Sequence, residues 1–581
     1  MPHPPFCRPT PVITYCSILP YCDMFIIYKP ACIYNLQPTT YNLQLTTTMP
    51  FNPEKAGRIF WSVAAAVALT GAFDNIGIGF LAWFALALLL LGLRNATVKE
   101  AFYLGLLAGF VHFVTLLYWL VPTMHQYGHL PVWLSIGALL LLAFYLALYF
   151  AAFSMLVTAA AKRPVYLVLA VPVFWVSLEY ARTFLFTGFP WGLIGYSQYN
   201  YLHLIQISDI LGVYGVSGFV AAINAAFFVV FLYAGGVRWQ NNPAGRGVAV
   251  FGIIFIAAIF LLNTGYGRYK LSETDRIAAA SDSLNVSVVQ GNIKQSLKWD
   301  EKYVTAIVEK YIDLSGKTMD SEPGLIVWPE TATPFYFLQE ERHTSRVLEA
   351  ISRMETWFLI GSPAFEYDHD TDELHFYNTA YLVDPKARLS GSYDKVHLVP
   401  FGEYVPFGDK LPFVERLVHS AGDFKPGRAG QVLSMENTDL GVQICYEIIF
   451  PHLSAKMVEN GGSLIINITN DAWFGKTAGP YQHFSMAVFR SVENRRALIR
   501  SANTGISAFV DPAGRVTAQT GLFETTTISR TVPVVAGEQT FYTRHAHLFP
   551  AACMAVSLLM LAVGIRRNRT MYGGKQNDKR A

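Results

Sequence analysis

The 581-residue chain is short of charge. Asp, Glu, Lys and Arg make up 15% of it, while 52% is hydrophobic. A soluble globular chain carries about 25% charged residues. So little charge at this length excludes a disordered chain, a coiled coil and a nucleic-acid binder. The formal net charge of +3 is too small to imply a polyanionic partner. Cysteine is scarce too, six in all, and no pair has the spacing of a zinc site. At about 150 residues per domain the length suggests roughly four domains. The distribution of charge argues against that count.

Between Arg58 and Gly265 there are 12 charged residues in 208; between Tyr266 and His545 there are 61 in 280. The first block reads as membrane and the second as an ordinary soluble domain. A membrane helix needs about 20 apolar residues. Eight runs are candidates: Ile59–Phe73, Ile76–Leu93, Ala101–Val121, Val132–Ala160, Val165–Tyr180, Leu211–Gly235, Val248–Leu262 and Leu548–Ile565. Lys and Arg mark alternate connections as cytoplasmic: Arg94 and Lys99, Lys162 and Arg163, Arg238 and Arg246, then the tail from Arg566 to Arg580. Eight spans with both termini in the cytoplasm fit every loop. The block 266–545 then lies outside, between spans seven and eight. Glu100, Glu179, Arg182 and Asp209, the few charges near the spans, read as interfacial.

Residues 1–48 fit neither block. They hold Cys7, Cys16, Cys22 and Cys32, are rich in Pro and Thr, and lack the pattern of a secretory signal. Met49 opens a plausible short cytoplasmic start, so 1–48 is expected to be disordered or untranslated. The domain plan is 1–48, transmembrane helices over 49–265, an external domain over 266–545, and an eighth helix with a basic tail over 546–581.

Cys553 lies in the last apolar run, which leaves Cys445 as the external domain's single thiol. A lone cysteine in an oxidising compartment is either inert and buried or kept free for chemistry. Its setting favours chemistry. Leu440–Ile444 reads as a buried strand and His452–Glu459 as a helix, so Cys445 sits on a strand-to-helix turn where a helix N-terminus favours thiolate. Further strands are expected at 284–290, 324–328, 357–361, 379–383, 463–467 and 507–510, and helices at 303–315, 343–355 and 481–500. The alternation indicates an α/β layered domain.

Three short segments recur in a known order. Trp328-Pro329-Glu330 ends a buried strand; Asp394-Lys395-Val396-His397 leads into Pro400-Phe401-Gly402-Glu403; Cys445-Tyr446-Glu447 follows. Together they resemble the nitrilase (carbon–nitrogen hydrolase) superfamily. With the flanking spans, they resemble its membrane-embedded branch, the apolipoprotein N-acyltransferases. Matching stretches include Gln290-Gly291-Asn292, Gln295-Ser296-Leu297-Lys298-Trp299, Asn470-Asp471-Ala472-Trp473-Phe474-Gly475, Phe189-Pro190-Trp191 and Gly195-Tyr196-Ser197-Gln198.

The resemblance implies a multi-pass α-helical bundle joined to an external nitrilase-like αββα sandwich, working without metal or cofactor. It implies a triad: Cys445 as nucleophile, Glu330 as general base and acid, Lys395 as oxyanion stabiliser. Glu330 needs a raised pKa for that work, and burial beside Trp328 would supply it. Glu403, Tyr446, Glu447 and Trp299 are implied as supporting residues. Glu403 is expected to orient Lys395, Glu447 to fix the turn after Cys445, and Trp299 to contact lipid or to pack in the core. The implied reaction moves an acyl group from the sn-1 position of a phospholipid, typically phosphatidylethanolamine. It passes through a Cys445 thioester to the α-amine of a diacylglyceryl-cysteine at an apolipoprotein N-terminus. The implied location is a bacterial inner membrane with the catalytic domain in the periplasm. The apolar run Thr333–Leu338 is expected to dip toward the bilayer through Phe335 and Phe337. Three other readings compete: a membrane-tethered nitrilase-type amidohydrolase, a non-enzymatic receptor or transporter, and a Cys-His protease using His397, His452 or His483. The membrane motifs disfavour the first, the rarity of charge in the spans the second, and the unused Glu330 and Lys395 the third.

Overall fold

The computed structural model describes residues 53–74, 76–370, 372–405 and 424–577. The expectation for residues 1–48 lies outside them.

Each of the eight apolar runs falls on helix. They are α1 (Pro53–Gly71), α2 (Ala82–Leu93), α3 (Val98–Leu116), α4 (Val132–Ala160), α5 (Pro164–Phe184), α6 (Ser208–Ala234), α7 (Arg246–Ala280) and, at the far end, a helix over Leu548–Asn577. Among the described residues, five of these (α3 to α7) are long and apolar enough to cross a membrane; 79–93 and 548–563 are shorter apolar helices. The expected count of about eight spans is therefore met at five. α1 has a charged first turns' worth of residues in Glu54, Lys55 and Arg58, which shortens its apolar stretch.

Leu141, Leu261, Leu262, Leu558 and Leu559 point outward, more than three-fifths exposed, as a lipid-facing surface requires. Inside, small residues let helices approach. A Cβ on Gly105 would meet the Phe150 carbonyl oxygen at 2.4 Å, and one on Gly109 would meet Ala147 Cα at 2.8 Å. This is close small-xxx-small packing of α3 on α4. Asn224 ties α6 to α2, donating to the Ala82 carbonyl (2.9 Å) and accepting from the Ala87 N–H (3.0 Å).

The interfacial reading of three charges is corrected. Glu179, Arg182 and Asp209 are buried. Glu179 accepts from the Trp175 indole (2.9 Å) and the Ile194 N–H (2.8 Å), and the Arg182 guanidinium lies over the Phe113 ring at 5.1 Å. Asp209 pairs with Arg495 at 2.9 Å. Arg182 and Asp209 meet partners from distant segments, Phe113 and Arg495.

Two six-stranded sheets follow. The strands are β1 (Asp282–Gln290), β2 (Leu325–Val327), β3 (Trp357–Asp368), β4 (Glu373–Val383), β5 (Leu389–Asp394), β6 (Leu433–Met435), β7 (Thr438–Ile444), β8 (Leu464–Thr469), β9 (Ala497–Ala502), β10 (Ala508–Val510), β11 (Val516–Gln519) and β12 (Thr526–Val534). One sheet runs β12-β1-β2-β3-β4-β5 and the other β11-β10-β9-β8-β7-β6. In each, three neighbouring strands are parallel (β1-β2-β3 and β7-β8-β9) and the flanks are antiparallel.

Alternation assigns the faces. Val286, Val288, Leu325, Val327, Ile466 and Ile468 fill the core between the sheets. Ile326, Trp328 and Ile360 face outward onto helices 301–316 and 341–354. On the other side, Ile465 and Leu498 face helix 479–494, and that core continues without a break into the membrane bundle through Trp191, Ile194 and Val213. The expected helix over 481–500 ends at Asn494, where Arg495 takes a left-handed backbone, and β9 begins two residues later.

Phe335 and Phe337 do not reach toward a bilayer. They are 7% and 0% exposed, part of the core against His343 and Tyr381. Tyr336 and Leu338, on the alternate positions, are the exposed members of that run.

Candidate active site

Glu330, Lys395 and Cys445 arrive from three strand ends. Glu330 comes three residues after β2, Lys395 directly after β5, and Cys445 directly after β7. Cys445 has a left-handed backbone (φ 53°), rare for a residue with a side chain. Such strain persists only where the surroundings over-determine it. Here they do. Glu447, two residues on and fully buried, accepts from the N–H groups of Ile444 (2.7 Å), Val396 (2.5 Å) and His397 (3.1 Å) and from the Tyr393 hydroxyl (3.0 Å). One carboxylate thus ties the thiol's turn to the strand end that carries Lys395. Opposing effects act on it: burial raises its pKa to about 7 against the pull of those donors and of Lys395. On the other side of the turn, His483 Nε2 lies 3.2 Å from the Cys445 carbonyl oxygen.

Lys395 is buried with its ammonium 2.8 Å from Glu403 Oε1 and 3.7 Å from Glu330 Oε1. Burial works against its charge, but the carboxylates of Glu403 and Glu330 outweigh it and hold the amine above the ordinary lysine range. Asn378 donates one amide to both carboxylates, 2.8 Å to Glu330 and 3.0 Å to Glu403. The Asn470 N–H holds Glu330 Oε2 at 2.8 Å, and the Val399 N–H holds Glu403 Oε2 at 2.8 Å. Both acids therefore have fixed orientations.

The turn by itself does little to favour thiolate. Cys445 keeps some exposed surface, yet burial pushes its thiol well up, and Glu330 pushes it further; Lys395 offsets only part of this. A 3-10 turn rather than a regular α-helix starts at Cys445, so the dipole that would favour thiolate is weak.

The supporting residues separate. Glu403 and Glu447 lie in the network. Tyr446 is half-buried, its ring against His397 (5.9 Å) and Phe450 (5.3 Å). Trp299 is 58% exposed and packs in no core. Of the histidines, His397 and His452 pack on aromatic rings, with burial lowering both, to about 4 and about 3. His483 reaches the cysteine through its backbone, not its sulfur. Burial and then Arg500 lower the pKa of His483 against the pull of Asp471, and Asp471, though buried, is held well below the usual carboxylate range chiefly by Arg500. Asn378 and Lys298, which donates to the Glu330 carbonyl at 3.1 Å, are the site's unforeseen members. Lys298 and Asn470 were visible within recurring motifs, but Asn378 sits mid-strand with no local signal. Among the described residues no group of three or more His, Cys, Asp and Glu is arranged to hold a metal ion.

A buried carboxylate, lysine and thiol brought together at the strand ends of an αββα sandwich form a nitrilase-type arrangement. The chain bears this out on both of its parts: residues 285–541 match the carbon-nitrogen hydrolase family, and residues 65–226 match the apolipoprotein N-acyltransferase N-terminal domain. An apolipoprotein N-acyltransferase of Geobacter metallireducens is 40% identical over 507 residues, covering 87% of this chain and 95% of the relative. One from Brucella melitensis is 32% identical over 535 residues, covering 88% and 97%. Among solved structures, the Saccharomyces cerevisiae nitrilase-superfamily protein Nit3 aligns at 19% identity and a TM-score of 0.34, over 46% of this chain and 94% of its own. The chain belongs to the apolipoprotein N-acyltransferase family and is an acyltransferase.

Proposed function

We propose that this enzyme N-acylates diacylglyceryl-modified apolipoproteins, taking the acyl group from the sn-1 ester of a membrane phospholipid, phosphatidylethanolamine first among them. The observation that carries this is the 3.7 Å approach of Lys395 to Glu330, with Cys445 electrostatically coupled to both. Glu330 takes the thiol proton as the sulfur attacks the ester carbonyl. The oxyanion forms against Lys395, which Glu403 and Asn378 hold in place. Collapse breaks the ester bond, and the departing lysophospholipid oxygen takes the proton back from Glu330. In the second half, the lipoprotein amine attacks the thioester and the sulfur leaves as a thiol, again with Glu330 carrying the proton. Glu447 keeps the strained turn in register, Tyr446 lines the approach to it, and exposed Trp299 meets lipid or lipoprotein.

The membrane plan belongs to the same reading. Residues 49–265 supply seven spans and 546–581 the eighth, with both termini cytoplasmic. The domain at 266–545 faces the periplasm from the inner membrane. A donor and an acceptor that both keep their chains in the bilayer explain why a nitrilase-type domain is tethered at each end.

Incubating the full-length enzyme with phospholipid alone, followed by intact mass spectrometry, tests the mechanism. Wild type gains one fatty-acyl mass that hydroxylamine removes, and Cys445→Ala gains none. Lipopeptide acylation by Cys445→Ala would refute the thioester. Release of free fatty acid with no lipopeptide acylation would favour the tethered amidohydrolase.

A further inference from the structure

The two half-reactions differ in their proton count. In the first, one proton leaves the thiol and one returns to the leaving oxygen, so Glu330 alone closes the cycle. In the second, the acceptor arrives as an ammonium, because an α-amine titrates at about 7.7–8.0. It must lose one proton before it can attack and a second as the amide forms. Only one of these returns to the sulfur. The other needs a base that Glu330 does not supply.

We propose that Lys298 is that base: a catalytic residue for the second half-reaction, which takes the extra proton from the incoming ammonium. This rests on the thioester reading above. Lys298 is 1% exposed, and its hydrogen-bond partner is the backbone carbonyl of Glu330 itself, at 3.1 Å. An ammonium has three donors to satisfy, and a buried lysine with one neutral acceptor is better accommodated as an amine. The titratable groups acting on it are Glu330 and Cys445, so it faces the reacting centre. Lys395 is buried in the same site but lies against two carboxylates, which fix its charge. Two lysines thus share one site in different settings, one between carboxylates and one against a neutral carbonyl. Burial draws Lys298 down to about 8, against the opposing pull of Glu330 and Cys445. It is therefore able to hold or release a proton near neutral pH. In the step, the R–NH3+ proton passes to the Lys298 amine, the free amine bonds to the thioester carbon, and the C–S bond breaks. The proton on Lys298 later leaves to water.

The test separates the halves in the full-length enzyme reconstituted in phosphatidylethanolamine vesicles. Pre-formed thioester is discharged either with a diacylated lipopeptide or with hydroxylamine, which is already a neutral nucleophile at pH 7. For Lys298→Met, thioester formation and hydroxylamine discharge stay within about threefold of wild type, while lipopeptide discharge at pH 7 falls about tenfold, the scarcity of free amine at that pH. The deficit closes as pH rises past the amine's own titration. Lys298→Arg keeps a cation but cannot give up its proton, and shows the same selective loss. A wild-type rate of lipopeptide discharge in both variants would overturn the proposal. So would an equal slowing of hydroxylamine discharge, which marks a structural role. Absence of any thioester in wild type would instead remove the reading on which the proposal rests.

Discussion

The sandwich has two outer helical layers, built for different surroundings. Helices 301–316 and 341–354 behave as a water-facing layer. Val304, Ile307, Val308 and Tyr311 bury one stripe, while Arg346 reaches Glu309 across the outside at 2.7 and 2.9 Å. Helix 479–494 has no outside: every residue but Tyr481 is buried, Arg490 and Glu493 included. Those two charges pair with each other and each also reaches the bundle. Arg490 donates to the Tyr196 hydroxyl (3.0 Å) and lies 3.1 Å from Glu493, which accepts the Val213 N–H (2.9 Å). Gln482 accepts from two bundle indoles, Trp191 (2.7 Å) and Trp119 (3.1 Å), and Trp191 stacks on His483 with centroids 5.8 Å apart. His483 in turn touches the Cys445 carbonyl. The comparison teaches that the bundle is the missing half of one outer layer, and that only one residue separates it from the nucleophile's backbone.

Breaking the buried layer has the largest effect. Arg490→Met leaves Glu493 buried without its cation, a loss of about 3–5 kcal/mol. The thermal midpoint in detergent should fall steeply, and intrinsic fluorescence from bundle and sandwich should move together. Separate transitions would show that the two halves do not share a core. Gln482→Leu comes next, orphaning two indole N–H groups at about 1–3 kcal/mol each. It should also slow thioester formation, because Trp191 and His483 lose their register beside Cys445; an unchanged single-turnover rate would break that link. Arg346→Ala, on the water-facing layer, should leave midpoint and turnover where they were, since exposed ion pairs contribute little. A measurable fall there would erase the contrast between the layers.

The water-facing layer was readable because amphipathic spacing announces it, and the meeting of Glu330, Lys395 and Cys445 because each follows a strand next to a rigid or polar turn. Legibility ended where a side chain's partner lies far along the chain. Arg182 and Asp209 look unpartnered until Phe113 and Arg495 are brought to them. Phe335 and Phe337 look like a lipid-facing loop until β3 and β4 cover them. Lys298 looks solvated, as most lysines are. The thiol's surroundings were hidden for a related reason: a strand-to-helix turn suggests a dipole, but burial, a property of the whole fold, acts against it and raises the pKa.

One feature of the bundle sets a mechanical limit. α7 runs 35 residues without a break, and β1 begins one residue after its cap. At about 1.5 Å per residue that is a rod of roughly 50 Å, well beyond the about 30 Å of a bilayer's hydrocarbon. Ser281 is the whole of the connection, so the rod behaves as a post rather than a tether. The sheet that begins at Asp282 is thereby held in a set orientation to α7, like a tool clamped to a bench.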